Sequence, residues 1–71
     1  MSSKINFVCE GKGKWGVFHD HKRVGYFTSW RRPEQMYDWQ REQIASLFEA
    51  VATGEKDFFD IAEELLNYTS I

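Results

Sequence analysis

The stretch Lys14-Trp15-Gly16-Val17-Phe18-His19-Asp20-His21-Lys22-Arg23-Val24-Gly25-Tyr26-Phe27-Thr28-Ser29 decides how the chain folds. Trp15 and Val17 alternate with Gly16 and Phe18; Val24, Tyr26 and Thr28 alternate with Gly25, Phe27 and Ser29. Period-two alternation of aromatic and β-branched residues is the signature of strands with one buried face. His19-Asp20-His21-Lys22 interrupts it, and aspartate favours turns because its carboxylate bonds nearby backbone N–H groups. A turn centred on Asp20-His21 sets Val17 opposite Val24, Trp15 opposite Tyr26 and Gly16 opposite Gly25. The paired glycines would leave a bare spot on the outer face.

Upstream, Lys4 to Glu10 alternates as a first strand. Gly11-Lys12-Gly13 suits a three-residue hairpin loop with a glycine in the left-handed region. That loop places Ile5, Phe7 and Cys9 on the face of Trp15, Val17, Val24 and Tyr26. A two-residue Gly11-Lys12 turn would flip the first strand instead. The other face then holds Asn6, Val8, Glu10, Lys14, Gly16, Phe18, Arg23, Gly25 and Phe27.

Downstream, Ser29-Trp30-Arg31-Arg32 leaves the sheet. Pro33 suits a first helical position, with Glu34 favourable in the first turn. From Pro33 to about Ala52, Met36, Tyr37, Ile44, Leu47, Phe48 and Val51 form an apolar stripe. Gln40 sits inside it as a buried amide bonded to backbone or to Tyr37, and Trp39 lies off it. Thr53-Gly54 ends the helix with a left-handed glycine. Asp57 caps a second helix with Asp60 three residues on. Phe58, Phe59, Ile61, Ala62, Leu65 and Leu66 form its stripe, and Tyr68 to Ile71 reads as a fraying tail from which Tyr68 could still dock. The expected fold class is α+β: a three-stranded antiparallel meander with two C-terminal helices on one face.

The 71 residues suffice for one domain, and twelve aromatics supply much of its core. One cysteine excludes an internal disulfide framework. Neither a signal peptide nor a membrane-length apolar run is visible, so the expected location is the cytoplasm, with no membrane partner. Net charge is −2. Residues 1–32 carry seven Lys/Arg against Glu10 and Asp20, a net of +5; residues 33–71 carry Arg41 and Lys56 against nine acids, a net of −7. The implied molecule has a basic sheet and acidic helices that meet different things.

No chemistry-bearing motif is complete. His19-x-His21 lacks the third and fourth ligands of a metal site. Cys9, at a core-facing strand position, reads as a small buried hydrophobe. Gly11-Lys12-Gly13 lacks the Gly-Lys-Ser/Thr ending of a phosphate loop. The sequence therefore points to no catalytic residue, cofactor or metal.

Gly13-Lys14-Trp15, then Gly25-Tyr26-Phe27-Thr28-Ser29, then a helix resembles the plant ethylene-response-type DNA-binding domain and the arm-binding domain of tyrosine recombinases. The resemblance spans about residues 13–45 and implies a sheet that enters the DNA major groove. The chain departs from that pattern in having few basic strand residues and an additional acidic helix. The primary expectation is a protein-binding module, a stoichiometric inhibitor or adaptor of a larger intracellular protein of the kind phages and mobile elements encode. It would be a monomer or homodimer, with duplex DNA binding as the alternative. Two surfaces are candidates. One is acidic and helical, Glu34, Asp38, Glu42, Glu49, Asp57, Asp60 and Glu64, able to imitate nucleic-acid charge or simply to solubilise. The other is the mixed sheet face, Lys14, Phe18, Arg23 and Phe27, continued by Trp30, Arg31 and Arg32 and suited to phosphate contacts with stacking.

Overall fold

The computed structural model describes residues 4–70. Three strands, β1 (Ile5–Gly11), β2 (Lys14–His19) and β3 (Lys22–Thr28), form an antiparallel sheet in the order β1-β2-β3. A 3-10 turn (Pro33–Gln35) leads to helices α1 (Asp38–Ala52) and α2 (Phe58–Thr69). Val17, Phe27, Met36, Ile44, Leu47, Phe48, Ile61 and Leu65 form the core between the layers. The expected α+β meander with two C-terminal helices is the fold observed.

The first hairpin keeps the expected faces. Ile5, Phe7 and Cys9 pair with His19, Val17 and Trp15. A bulge between Cys9 and Gly11 absorbs Glu10, and Gly13 takes the left-handed φ of 74°. Cys9, however, is exposed, its thiol lying 3.4 Å from the Gly11 carbonyl, so it is not the buried hydrophobe expected.

The second hairpin departs from the expected register. Asp20 makes the turn at φ 58°, and His19 pairs with Lys22 and Phe18 with Arg23. A bulge then intervenes, so that Val17 faces Gly25, Gly16 faces Tyr26 and Trp15 faces Phe27. One extra residue, Val24, reverses everything beyond it, because successive strand side chains point to opposite faces. Phe27 thus turns inward and is 2% exposed, whereas Tyr26 turns outward and is 40% exposed. Phe27 belongs to the core and not to the mixed outer face.

The two glycines separate as well. Gly25 faces the helices, where a Cβ would stand 2.8 Å from the Phe48 ring and 3.0 Å from the Phe58 ring. Gly16 stays on the outer face, and the Glu10 side chain occupies the space above it. The bare outer spot does not exist; each vacancy is filled from a different side.

Helix α1 starts five residues later than expected. Met36 and Tyr37 are extended, with ψ near 155° and 148°, and Met36 is buried while Tyr37 is exposed. Gln40, fully buried, explains this start. Its Oε1 accepts from the Tyr37 N–H at 3.4 Å, and its Nε2 donates to the Tyr68 carbonyl at 2.6 Å. The amide is satisfied by backbone, as expected, and it fastens the first turn of α1 to the last turn of α2. Gly54 closes α1 at φ 84°. The Asp60 carboxylate accepts from the Asp57 N–H at 3.0 Å at the start of α2. Helix α2 runs on to Thr69, so Tyr68 and Thr69 are packed helix and not tail; Ile71 lies outside the described residues. Phe59 and Leu66, expected in the stripe, are exposed.

Gly25→Ala should destabilise by about 1–3 kcal/mol, because the added methyl meets two packed rings. For a domain this small that lowers Tm by several degrees in a thermal melt. Gly16→Ala should cost less, because the flexible Glu10 side chain can move aside. Gln40→Leu should cost about 2 kcal/mol in chemical denaturation despite its greater apolarity, since two backbone groups lose their partner.

Candidate partner-binding surfaces

The outer sheet face is built around one ion pair. Arg23 Nε and Nη2 donate to the two Glu10 carboxylate oxygens at 2.8 and 2.7 Å. Such a bidentate pair fixes both groups. The Arg23 hydrogen bond holds the Glu10 carboxyl below the usual glutamate range. Tyr26 lies beside it, with the Arg23 guanidinium 5.7 Å and the Lys14 ammonium 4.8 Å from its ring centre. Phe18 is half-buried on the same face. Of the residues expected here, Lys14, Phe18 and Arg23 do share the surface. Arg23, though, has its guanidinium committed to Glu10, leaving an ionised carboxylate in the middle of the sheet.

Trp30, Arg31 and Arg32 stand at the end of the sheet, where the chain leaves β3. The Ser29 N–H donates to the Gly13 carbonyl at 2.9 Å, and the Arg31 N–H donates to Ser29 Oγ at 3.2 Å. These bonds hold the segment against the β1–β2 turn. A cleft of about 510 Å³ opens there, lined by Lys12, Trp15, Trp30, Arg31, Arg32 and Glu34 among others. Three cations face one carboxylate in it.

From this cleft an aromatic row runs onto the helices. The Arg31 guanidinium lies 4.7 Å from the Trp30 ring centre and 5.7 Å from that of Tyr37. Tyr37 and Trp39 are parallel within 10°, and Trp39 meets Tyr68 edge-on at 6.3 Å. Trp30, Tyr37 and Trp39 are 74%, 55% and 50% exposed. Trp39 thus leans on Tyr68, which itself packs on the core, and presents a face to solvent. Tyr37 was missed as a surface residue because its spacing fits the α1 stripe. Gln40, the third residue of a helix starting at Asp38, is the signal that would have placed Tyr37 outside it.

The acidic residues do not form one row. Glu34 lies in the basic cleft. Asp38 is paired with Arg41. Glu42 and Glu49 are exposed on α1, Asp57 just before α2, and Asp60 and Glu64 on α2. Among the described residues these five make no ion pair, whereas both acids of the basic half do, Glu10 with Arg23 and Asp20 with Lys4. The ion pairs thus stay within each half of the sequence, while Glu34 stands among the cations of the cleft. His19 ends β2 and His21 lies in the turn, and no three His, Cys, Asp or Glu side chains gather as a metal site among the described residues. No described helix is long and apolar enough to cross a membrane.

No protein-family model, curated protein or solved structure matches this chain. The resemblance to the two DNA-binding families rests on residues 13–45 alone.

The Glu10 carboxyl should titrate below an ordinary glutamate in an NMR pH series, and Arg23→Gln should bring it back. Because the folded-state pKa is lowered, the bond stabilises the fold above the ordinary glutamate pKa. That contribution disappears as pH falls through the lowered value, and the variant should lack this part of the acid destabilisation.

Proposed function

We propose that this chain is a non-enzymatic protein-binding module that engages a larger protein through the row Trp30–Arg31–Tyr37–Trp39. The observation that carries this reading is the exposure of three large aromatic rings aligned through one arginine. Tryptophan, tyrosine and arginine are the residues on which interface energy concentrates. Arg31 already lies between two rings, so little side-chain freedom remains to be lost when a partner covers it. Lys12 and Arg32 at one end favour a partner whose contact patch is rimmed by acids. Glu42, Glu49, Asp57, Asp60 and Glu64, which make no ion pair among the described residues, add exposed charge of opposite sign, suited to steering a basic region of the same partner. Acting stoichiometrically, such a module inhibits or adapts what it covers.

A second reading, nucleic-acid binding, is favoured by Lys12, Arg31 and Arg32 beside the exposed Trp30, a combination that serves phosphate contact and base stacking. Against a sheet laid in the major groove stands the Glu10–Arg23 pair, which takes the Arg23 charge out of play and leaves the centre of the sheet neutral where phosphates would approach.

The test is to purify complexes formed by the intact chain in its native cells, then reconstitute the dominant one from pure components. Trp30→Ala and Tyr37→Ala should each weaken it at least tenfold with the fold unchanged by circular dichroism. If either leaves affinity within twofold, the aromatic row is not the contact. Retention on DNA that falls steeply with salt and is lost in Arg31→Ala/Arg32→Ala would establish the second reading instead.

A further inference from the structure

We infer that the cleft between the β1–β2 turn and the Trp30–Glu34 segment takes a phosphorylated side chain of the partner, a conclusion that rests on the chain being a protein-binding module. The cleft gathers three cations, Lys12, Arg31 and Arg32, and one carboxylate, Glu34. Among the described residues none of these four makes an ion pair. Trp15 lines the same cleft, and its Nε1 is buried without a hydrogen-bond partner. An indole N–H can only donate, and a buried donor left alone is costly. Both features ask for the same thing, an anion rich in acceptor oxygens.

Charge balance selects the anion. Three cations against one carboxylate leave the cleft with a surplus of two positive charges. A phosphate monoester brings about 1.5–2 negative charges and three acceptor oxygens at neutral pH. A carboxylate brings one charge and two oxygens, and would leave the cleft positive. The donors suit phosphate as well. Arginine forks bond its oxygens in pairs, and lysine adds a point charge.

Much of this site is set before a ligand arrives. The Arg31 N–H donates to Ser29 Oγ at 3.2 Å and the Arg32 N–H to Gln35 Oε1 at 3.4 Å, which ties down the backbone carrying both guanidinium groups. The Trp30 ring supports the Arg31 guanidinium at 4.7 Å. Arg31 belongs to both the cleft and the aromatic row, so a protein lying on Trp30 and Tyr37 brings its own side chains to the mouth of the cleft. The concave shape, about 510 Å³, also favours one phosphate group over a nucleic-acid backbone. A polynucleotide repeats its charge along a track. Here three cations converge on one spot, and Arg23 on the sheet is already held by Glu10.

The test titrates the full chain with a blocked tripeptide carrying a central phosphoserine, and with its unphosphorylated twin, followed by two-dimensional NMR. The phosphopeptide should move the Trp15 indole N–H signal to saturation, and the twin should not. Lys12→Gln/Arg32→Gln, a change of two exposed residues, should weaken phosphopeptide binding at least tenfold. Glu34→Gln should strengthen it at least twofold by removing the one opposing charge. An unmoved Trp15 signal, a twin that binds as well, a double variant within twofold of the unmodified chain, or weaker binding by Glu34→Gln would each overturn the inference. Inorganic phosphate bound as tightly as the peptide would overturn it too, making the cleft a free-anion site. So would a duplex oligonucleotide that saturates the same signals more tightly than the peptide, giving the cleft to nucleic acid. Phosphatase treatment of the purified complex separates this inference from the protein-binding reading. Loss of the complex supports both, whereas a complex that survives the phosphatase but is lost in Tyr37→Ala keeps that reading and overturns the phosphate site.

Discussion

The helical layer can approach the sheet only because residue 25 has no side chain. Phe48, wholly buried, and Phe58 occupy the volume that any Cβ there would claim. This contact depends on the bulge at Val24, which turns Gly25 inward and brings Phe27 with it. Phe27 then meets Phe7 edge-on at 5.3 Å and Phe48 at 6.3 Å, joining the first strand, the last strand and α1 through three rings. In a chain of 71 residues the buried fraction is small, so a few close ring contacts must supply much of what a larger core would spread widely.

The same bulge arranges the outer face. Tyr26, displaced outward, becomes the ring over which Lys14 and Arg23 rest, and it reaches Phe58 beside β3. The Glu10–Arg23 pair neutralises the centre of the sheet, while Asp20 is matched by Lys4. Among the described residues Lys12, Lys14, Lys22, Arg31 and Arg32 are left without an ion pair on the sheet side, with Glu34 beside three of them in the cleft.

Alternation made the three strands and their order legible, and glycine with aspartate marked the helix ends. Strand β1 could be faced correctly because both loop possibilities were explicit and only one gave a single apolar side. The face of β3 could not. Val24-Gly25-Tyr26-Phe27 reads equally well with Tyr26 or Phe27 inward, and the choice is made by Phe48 needing space, a long-range fact that periodicity does not carry. The same limit explains Phe59 and Leu66: α2 is apolar over a wider arc than one sheet and one helix can cover. Among the candidate site residues, Trp30, Arg31 and Arg32 were visible as an aromatic–basic run. Tyr37 was hidden by a spacing that suits two structures.

Gln40 and the Tyr68 carbonyl are separated by 28 residues, yet they close the helical layer on itself. A buried amide that loses this acceptor is left without a partner, so neither helix end can fray alone without exposing the other. The start of one helix is thus tied to the end of the other, and the two should open and close as a single unit.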